Sequence, residues 1–252
     1  AAMAFTLPPL IGHRGAARMA PENTLPGLAA AANAGVRWVE VDVKLTADDV
    51  PILMHDDRLD RTTDLRGPVR GTTWAQLRGA DAGGWFAGRF AGTPVPHLDT
   101  ALATLKRLGL GLNLEIKPCS GRGPATAAVA ARALAAANFP ADQVVITSFD
   151  WSAIAWLAAR APIWPRGLLT KGLDGSWARV GAELGCRSVH VGERALDPAS
   201  IAAIHDAGFL AAAYTVNDPA RARALLTAGV DALITDAPAD LRDGLADLPG
   251  IA

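Results

Sequence analysis

Along most of the chain, short β-type runs alternate with Ala/Leu-rich stretches. Strand-type runs fall at residues 10–13, 38–43, 111–116, 144–147, 166–169, 188–191, 210–215 and 232–235. Helical stretches lie near 25–34, 99–108, 124–138, 151–160, 175–184, 198–207 and 218–228. Gly35, Gly109, Gly185, Gly208 and Gly229 each follow a helical run, where a residue without Cβ can turn left-handed and stop the helix. This alternation predicts a parallel sheet covered by helices. Residues 50–55 break the rhythm, because only a polar turn at 46–49 separates them from the strand before. A parallel crossover needs about a dozen residues, so this run is expected to fold back antiparallel as a hairpin arm. Eight parallel strand candidates then remain in 252 residues, which favours a closed (β/α)8 TIM barrel over an open doubly wound sheet. Residues 56–98 show no clear period and read as a small insertion after the second barrel strand, too short for an independent domain. The expectation is one domain spanning 1–252.

Side chains alternate faces along a strand, so the same pattern sorts the polar residues. Val39, Val41 and Val43 share one face and Glu40 and Asp42 the other. Leu112, Leu114 and Ile116 oppose Asn113, Glu115 and Lys117. In a barrel the apolar set meets the outer helices, and the charged set points inward near the strand C-termini, where barrel sites are built. Burying Glu40, Asp42 and Glu115 together without a cation would be costly. A divalent ion resolves that cost, and all-oxygen ligation selects a hard ion, Mg²⁺ or Ca²⁺, or Mn²⁺. His13 and Arg14 close the first strand, and His55 ends the arm that starts from the Glu40 strand. The two histidines suit an acid/base pair around one centre. Arg14 and Lys117 supply positive charge suited to phosphate oxygens. Before the first helix, Thr24 or Asn23 is an N-cap candidate, and Glu22 is expected to pair with a neighbouring cation. His190 and Tyr214 should point inward, Asn217 should cap the following helix, and His97 and His205 read as structural or solvated.

Composition removes competing classes. The formal charge is -1 and no basic stripe stands out, so a nucleic-acid partner is not expected. Half the residues are hydrophobic, yet no apolar run approaches the ~20 residues needed to span a bilayer. The 2 cysteines, Cys119 and Cys186, form neither a metal-type pair nor a disulfide framework. With no basic-then-apolar N-terminal run, a cytoplasmic location is expected.

Several of these residues stand in recognisable motifs: His13-Arg14-Gly15, Pro21-Glu22-Asn23-Thr24, Glu40-Val41-Asp42, His55-Asp56, Leu114-Glu115-Ile116-Lys117, Ser148-Phe149, Tyr214-Thr215-Val216-Asn217 and Thr235-Asp236. Their order resembles that of the glycerophosphodiester phosphodiesterases over nearly the whole chain. Glu115-Ile116-Lys117-Pro118, Gly121-Arg122-Gly123-Pro124, Pro165-Arg166-Gly167-Leu168-Leu169 and Leu184-Gly185-Cys186 further resemble the cytosolic bacterial member associated with glycerol-3-phosphate uptake. The resemblance implies a barrel with a divalent metal on Glu40, Asp42 and Glu115, and His13 and His55 as the acid/base pair. Arg14 and Lys117 would hold the phosphate, with Phe149 and Tyr214 near the glycerol end. Many relatives carry Trp where this chain has Tyr214. The implied reaction is hydrolysis of small glycerophosphodiesters, such as glycerophosphocholine or glycerophosphoethanolamine, to sn-glycerol 3-phosphate and an alcohol. A functional link to a transporter of such compounds follows from the same resemblance. The competing readings are a lysophospholipase D type activity and a catalytically silent phosphodiester-binding barrel.

Overall fold

Residues 38–45 show how the pattern becomes structure. Val39, Val41 and Val43 are fully buried in the layer between sheet and helices, while Glu40, Asp42 and Lys44 point the other way and are also buried. A strand hidden on both faces belongs to a closed or doubly covered sheet. The computed structural model describes residues 5–251 and shows the closed form. Eight parallel strands form the barrel: β1 (Leu10–Gly12), β2 (Trp38–Leu45), β4 (Gly111–Ile116), β5 (Val144–Ser148), β6 (Arg166–Thr170), β7 (Ser188–Gly192), β8 (Leu210–Tyr214) and β9 (Ala232–Thr235). The β1–β2 and β1–β9 pairings close it.

The arm is β3 (Pro51–Leu53), antiparallel to the far end of β2 with Val43 opposite Leu53, as the short turn required. The connecting helices are α1 (Leu25–Asn33), α3 (Leu98–Leu108), α4 (Gly123–Ala136), α5 (Trp151–Arg160), α6 (Trp177–Glu183), α7 (Pro198–Asp206) and α8 (Pro219–Thr227). In α3, Leu98, Ala101, Leu102 and Leu105 make one buried stripe, and Gly109 ends the helix at φ 67°. The five helix-stopping glycines all have positive φ. The insertion holds a four-residue helix, α2 (Trp74–Leu77), and its own small core of Leu59, Val69, Leu77 and Val95 packed on Ile52 and Met54 of the arm. A last helix, α9 (Pro238–Gly244), was not expected from the hydrophobic period. Pro238 at its first position was the available signal.

The barrel interior is divided by height. Its lower half is apolar, filled by Ile11, Trp38, Val145, Ala212, Ala232 and Ile234. Trp38 lies under β4 so closely that a Cβ on Gly111 would fall 2.2 Å from its Nε1. The upper half carries charge. Among the described residues no helix is long and apolar enough to cross a membrane.

Candidate active site

The first turn after β1 is unusual. Arg14 is a non-glycine residue at φ 51°, and Asn23 sits at φ 54°. That region costs roughly 1–2 kcal/mol for a side-chain-bearing residue and concentrates at functional sites. Here it is held by hydrogen bonds. The Arg14 amide donates to Glu40 Oε2 at 3.0 Å, and the Asn23 amide donates to the Arg14 carbonyl at 3.0 Å. Gly15 follows at φ 90°, where a Cβ would lie 2.6 Å from the Gly27 carbonyl carbon.

Parallel register sets Asp42 beside Glu115 and Glu40 beside Asn113. One carboxylate oxygen from each of Glu40, Asp42 and Glu115 lies within 4.8 Å of the others, and all three residues are buried. Glu40 Oε1 and Glu115 Oε1 accept no hydrogen bond, although Lys117 Nζ lies 3.2 Å from the latter. Burial first, then the charges of Asp42 and Glu115, push the Glu40 carboxyl well above its usual range. Burial and then Asp42 push Glu115 up to about 7, against the pull of Lys117. Asp42 goes the other way: burial raises it, but Arg14, His55 and the Asn23 amide together hold it low. Carboxyl oxygens left bare in a buried cluster are what a hard divalent cation would satisfy, so the donor set fits one.

Each histidine is backed by an aspartate. His13 Nδ1 is 2.6 Å from Asp236 Oδ1, and His55 Nδ1 is 2.7 Å from Asp56 Oδ1. Arg61 above all, then His55, holds Asp56 below its usual range against burial, and His13 with Asn217 does the same for Asp236. An ionised carboxylate only accepts, so Nδ1 carries the proton in each ring. Nε2 is thereby left to exchange protons, and His13 Nε2 faces Glu40 Oε2 at 3.8 Å. Burial, with Arg14 and Lys117 nearby, lowers the His55 imidazole despite Asp42 and Asp56.

Behind His55 runs a chain of ion pairs. Arg61, in the insertion, grips Asp56 at 2.8 and 2.9 Å and Glu22 at 2.7 and 2.8 Å. Glu22 also accepts from Arg14 Nη1 at 2.8 Å, so the expected cation partner of Glu22 is present. One cap expectation holds and another needs correction. Thr24 alone caps α1, by accepting from the Gly27 amide. Asn23 instead exchanges two hydrogen bonds with Asp42, at 2.8 and 3.0 Å. Asp218, not Asn217, caps α8; Asn217 accepts from Thr235 and the Asp236 amide and donates to Asp236 Oδ2 at 2.8 Å.

The nine residues expected to hold metal or substrate or to move protons all gather at this end of the barrel. Phe149 and Tyr214 meet edge to face at 5.9 Å, and Lys117 Nζ sits 5.3 Å from the Phe149 ring centre. A small cavity of about 30 Å³ is lined by His13, Glu40, Asn113, Glu115, Phe149 and Tyr214. His190 is fully buried beneath it, bonded to Ser188 and Asn113, so it supports the floor. His97 caps α3, and His205 pairs with Asp231 at 2.8 Å, both structural as expected. Lys44, unremarked in the sequence, is buried and donates to Asp57 and the Lys117 carbonyl at 2.7 Å each, tying β2 to the insertion and the β4 loop. A larger cleft of about 330 Å³ lies at the opposite end, by Leu10, Arg37 and Trp38, where barrels place stability and not chemistry.

Two histidines set around a buried carboxylate cluster, with cations at the mouth, define a barrel hydrolase acting on phosphate esters. The chain belongs to the Glycerophosphoryl diester phosphodiesterase family, whose sequence profile matches residues 13–240. It is similar to a glycerophosphodiester phosphodiesterase of Caldanaerobacter subterraneus, 30% identical over 92% of this chain and 95% of that one. A solved Oleispira antarctica phosphodiesterase in complex with the product sn-glycerol-3-phosphate superimposes with TM-score 0.92 at 34% identity, covering 95% and 97% of the two chains. A glycerophosphodiester phosphodiesterase of Agrobacterium tumefaciens gives TM-score 0.79 at 31% identity, covering 93% and 99%.

Proposed function

We propose that this protein hydrolyses small glycerophosphodiesters to sn-glycerol 3-phosphate and an alcohol, in a metal-dependent reaction. The observation that carries the reading is the buried Glu40–Asp42–Glu115 cluster, with bare oxygens and two aspartate-backed histidines around it. Glu40, Asp42 and Glu115 would hold one divalent cation, Mg²⁺, Ca²⁺ or Mn²⁺, which when bound polarises a phosphoryl oxygen and offsets developing charge. Arg14 and Lys117 neutralise the remaining phosphate oxygens. One of His13 and His55 takes the nucleophile's proton at Nε2, and the other delivers a proton to the leaving alkoxide. Phe149 and Tyr214 flank the glycerol carbons.

The finer assignments rest on the same basis. The chain reads as one domain over 1–252, and its motifs favour the cytosolic bacterial member linked to glycerol-3-phosphate uptake. Both cysteines are free and buried, in keeping with a cytoplasmic location.

The test is a coupled assay for sn-glycerol 3-phosphate released from glycerophosphocholine, with and without chelator. Release that needs Mg²⁺, Ca²⁺ or Mn²⁺ is expected. No release with any of them removes the proposal.

A further inference from the structure

Between the carboxylate cluster and the apolar lower half of the barrel lies a buried polar layer that the proton transfers above do not use. Asn113 of β4, Thr147 of β5, and Ser188 and His190 of β7 supply it, each at most 1% exposed. Gly167 of β6 makes the room, since a Cβ there would lie 2.7 Å from Ser188 Oγ and 3.0 Å from Thr147 Cγ2. Polar side chains in the middle of a core cost stability unless each is paired, and an apolar layer would carry no such cost.

The pairing runs in one direction. An amide nitrogen only donates, so Asn113 Nδ2 donates to His190 Nδ1 at 3.4 Å, and His190 Nε2 donates to Ser188 Oγ at 2.9 Å. Thr147 Oγ1 donates to Asn113 Oδ1 at 3.0 Å. His190 and Thr147 thus fix which way the Asn113 amide faces. Two capacities are left over among the described residues: the second N–H of Asn113 and the lone pairs of Thr147 Oγ1. Both residues line the catalytic cavity, together with Phe149 and Tyr214. The free space there is about 30 Å³, enough for one hydroxyl-bearing carbon and far too little for an acyl chain. A hydroxyl both donates and accepts, so it meets both leftover groups at once. An ester oxygen or a methyl group does not.

Resting on the glycerophosphodiester reading above, we propose that Asn113 and Thr147 form the subsite for the terminal hydroxyl of the glycerol, and so restrict the enzyme to diesters whose glycerol carries no acyl group. The glycerol end is the part placed at Phe149 and Tyr214. Its middle hydroxyl is the nearer one to phosphorus and stays by the carboxylate cluster, whereas the terminal hydroxyl reaches the floor. There Asn113 Nδ2 donates to its oxygen, and its hydrogen goes to Thr147 Oγ1. His190 acts through Asn113 and is a positioning residue.

Glycerophosphoethanolamine and its analogue with hydrogen in place of the terminal hydroxyl isolate the effect. The metal-loaded protein should show a kcat/KM for the analogue that is lower by roughly 10- to 100-fold, because a buried donor and acceptor are left unmet. Lysophosphatidylethanolamine, acylated on that oxygen, should not be cleaved. In Asn113→Ala the ratio between the two diesters should fall toward one. That variant opens space two residues from Glu115, so Thr147→Val, which nearly keeps the shape and removes the hydroxyl, gives a second reading. Its ratio should fall about fivefold, with a cooperative melt showing that it folds. Equal kcat/KM for the two diesters in the wild type, comparable cleavage of lysophosphatidylethanolamine, or a wild-type ratio in folded Thr147→Val overturns the subsite. If the wild-type protein cleaves none of the three, the glycerophosphodiester reading itself fails and takes the subsite with it.

Discussion

A histidine that exchanges protons needs one ring nitrogen held and the other free. Asp236 meets that need for His13 across 223 residues of sequence, and is itself oriented by Asn217. It is therefore a positioning residue. Asp236→Asn should lower kcat about 10²-fold with KM nearly unchanged, because the ring loses its fixed tautomer and not its substrate contacts. Equal kcat in steady-state assays of the variant would remove Asp236 from that role. His190 makes a different claim at the same scale. Burial lowers its imidazole to about 4 from an ordinary value near 6.5. The unfolded chain thus binds a proton that the folded chain refuses, so the stability tied to a neutral His190 is complete above pH 6.5 and lost as pH falls toward 4. The loss is on the order of 3 kcal/mol over that window. Urea melts of His190→Gln should show a flatter decline between those limits, and a slope equal to wild type would refute the assignment.

Among the elements, β2 and β4 were the most legible. A period of two, combined with valine and leucine runs, placed Glu40, Asp42 and Glu115 inside before any fold was known, and the short turn at 46–49 placed the arm. The partners behind the histidines were not legible, for a physical reason. Asp56, Arg61, Asn217 and Asp236 stand in loops, where no period sets side-chain direction, and Asp236 meets His13 only across 223 residues of sequence. The insertion looked featureless because its core of Leu59, Val69, Leu77 and Val95 is assembled from turns. Its role emerges through Arg61, which fastens the Asp56 end of the arm to Glu22 in the loop before α1. Arg61→Ala should lower kcat at least tenfold while moving Tm little, since Arg61 is nearly half exposed and Glu22 and Asp56 keep Arg14 and His55 as partners, so each lost pair is worth ~1 kcal/mol or less. Arg61→Lys should restore only part of the rate, because an ammonium cannot grip two carboxylates bidentately. Wild-type kcat in both variants would show that the arm is held without it.

For the whole molecule, the carboxylate cluster sets stability against function. A barrel whose lower half is apolar and whose upper half buries three acids around bare oxygens is destabilised by its own site until a cation arrives. Metal at about 100 times its Kd should add roughly 2.7 kcal/mol, or some 5–10 °C in Tm for a protein of this size. Glu40→Gln gives the sharper test. Its amide keeps an oxygen for the Arg14 amide while removing the group that burial and two neighbouring carboxylates disfavour most. In chelator the variant should therefore melt above wild type. With saturating metal the order should reverse, as wild type gains the ion and the variant does not. Differential scanning calorimetry under both conditions decides it: a variant less stable than wild type in chelator would mean that Glu40 is a supporting ion-pair partner, and the cluster would lose its claim to a cation.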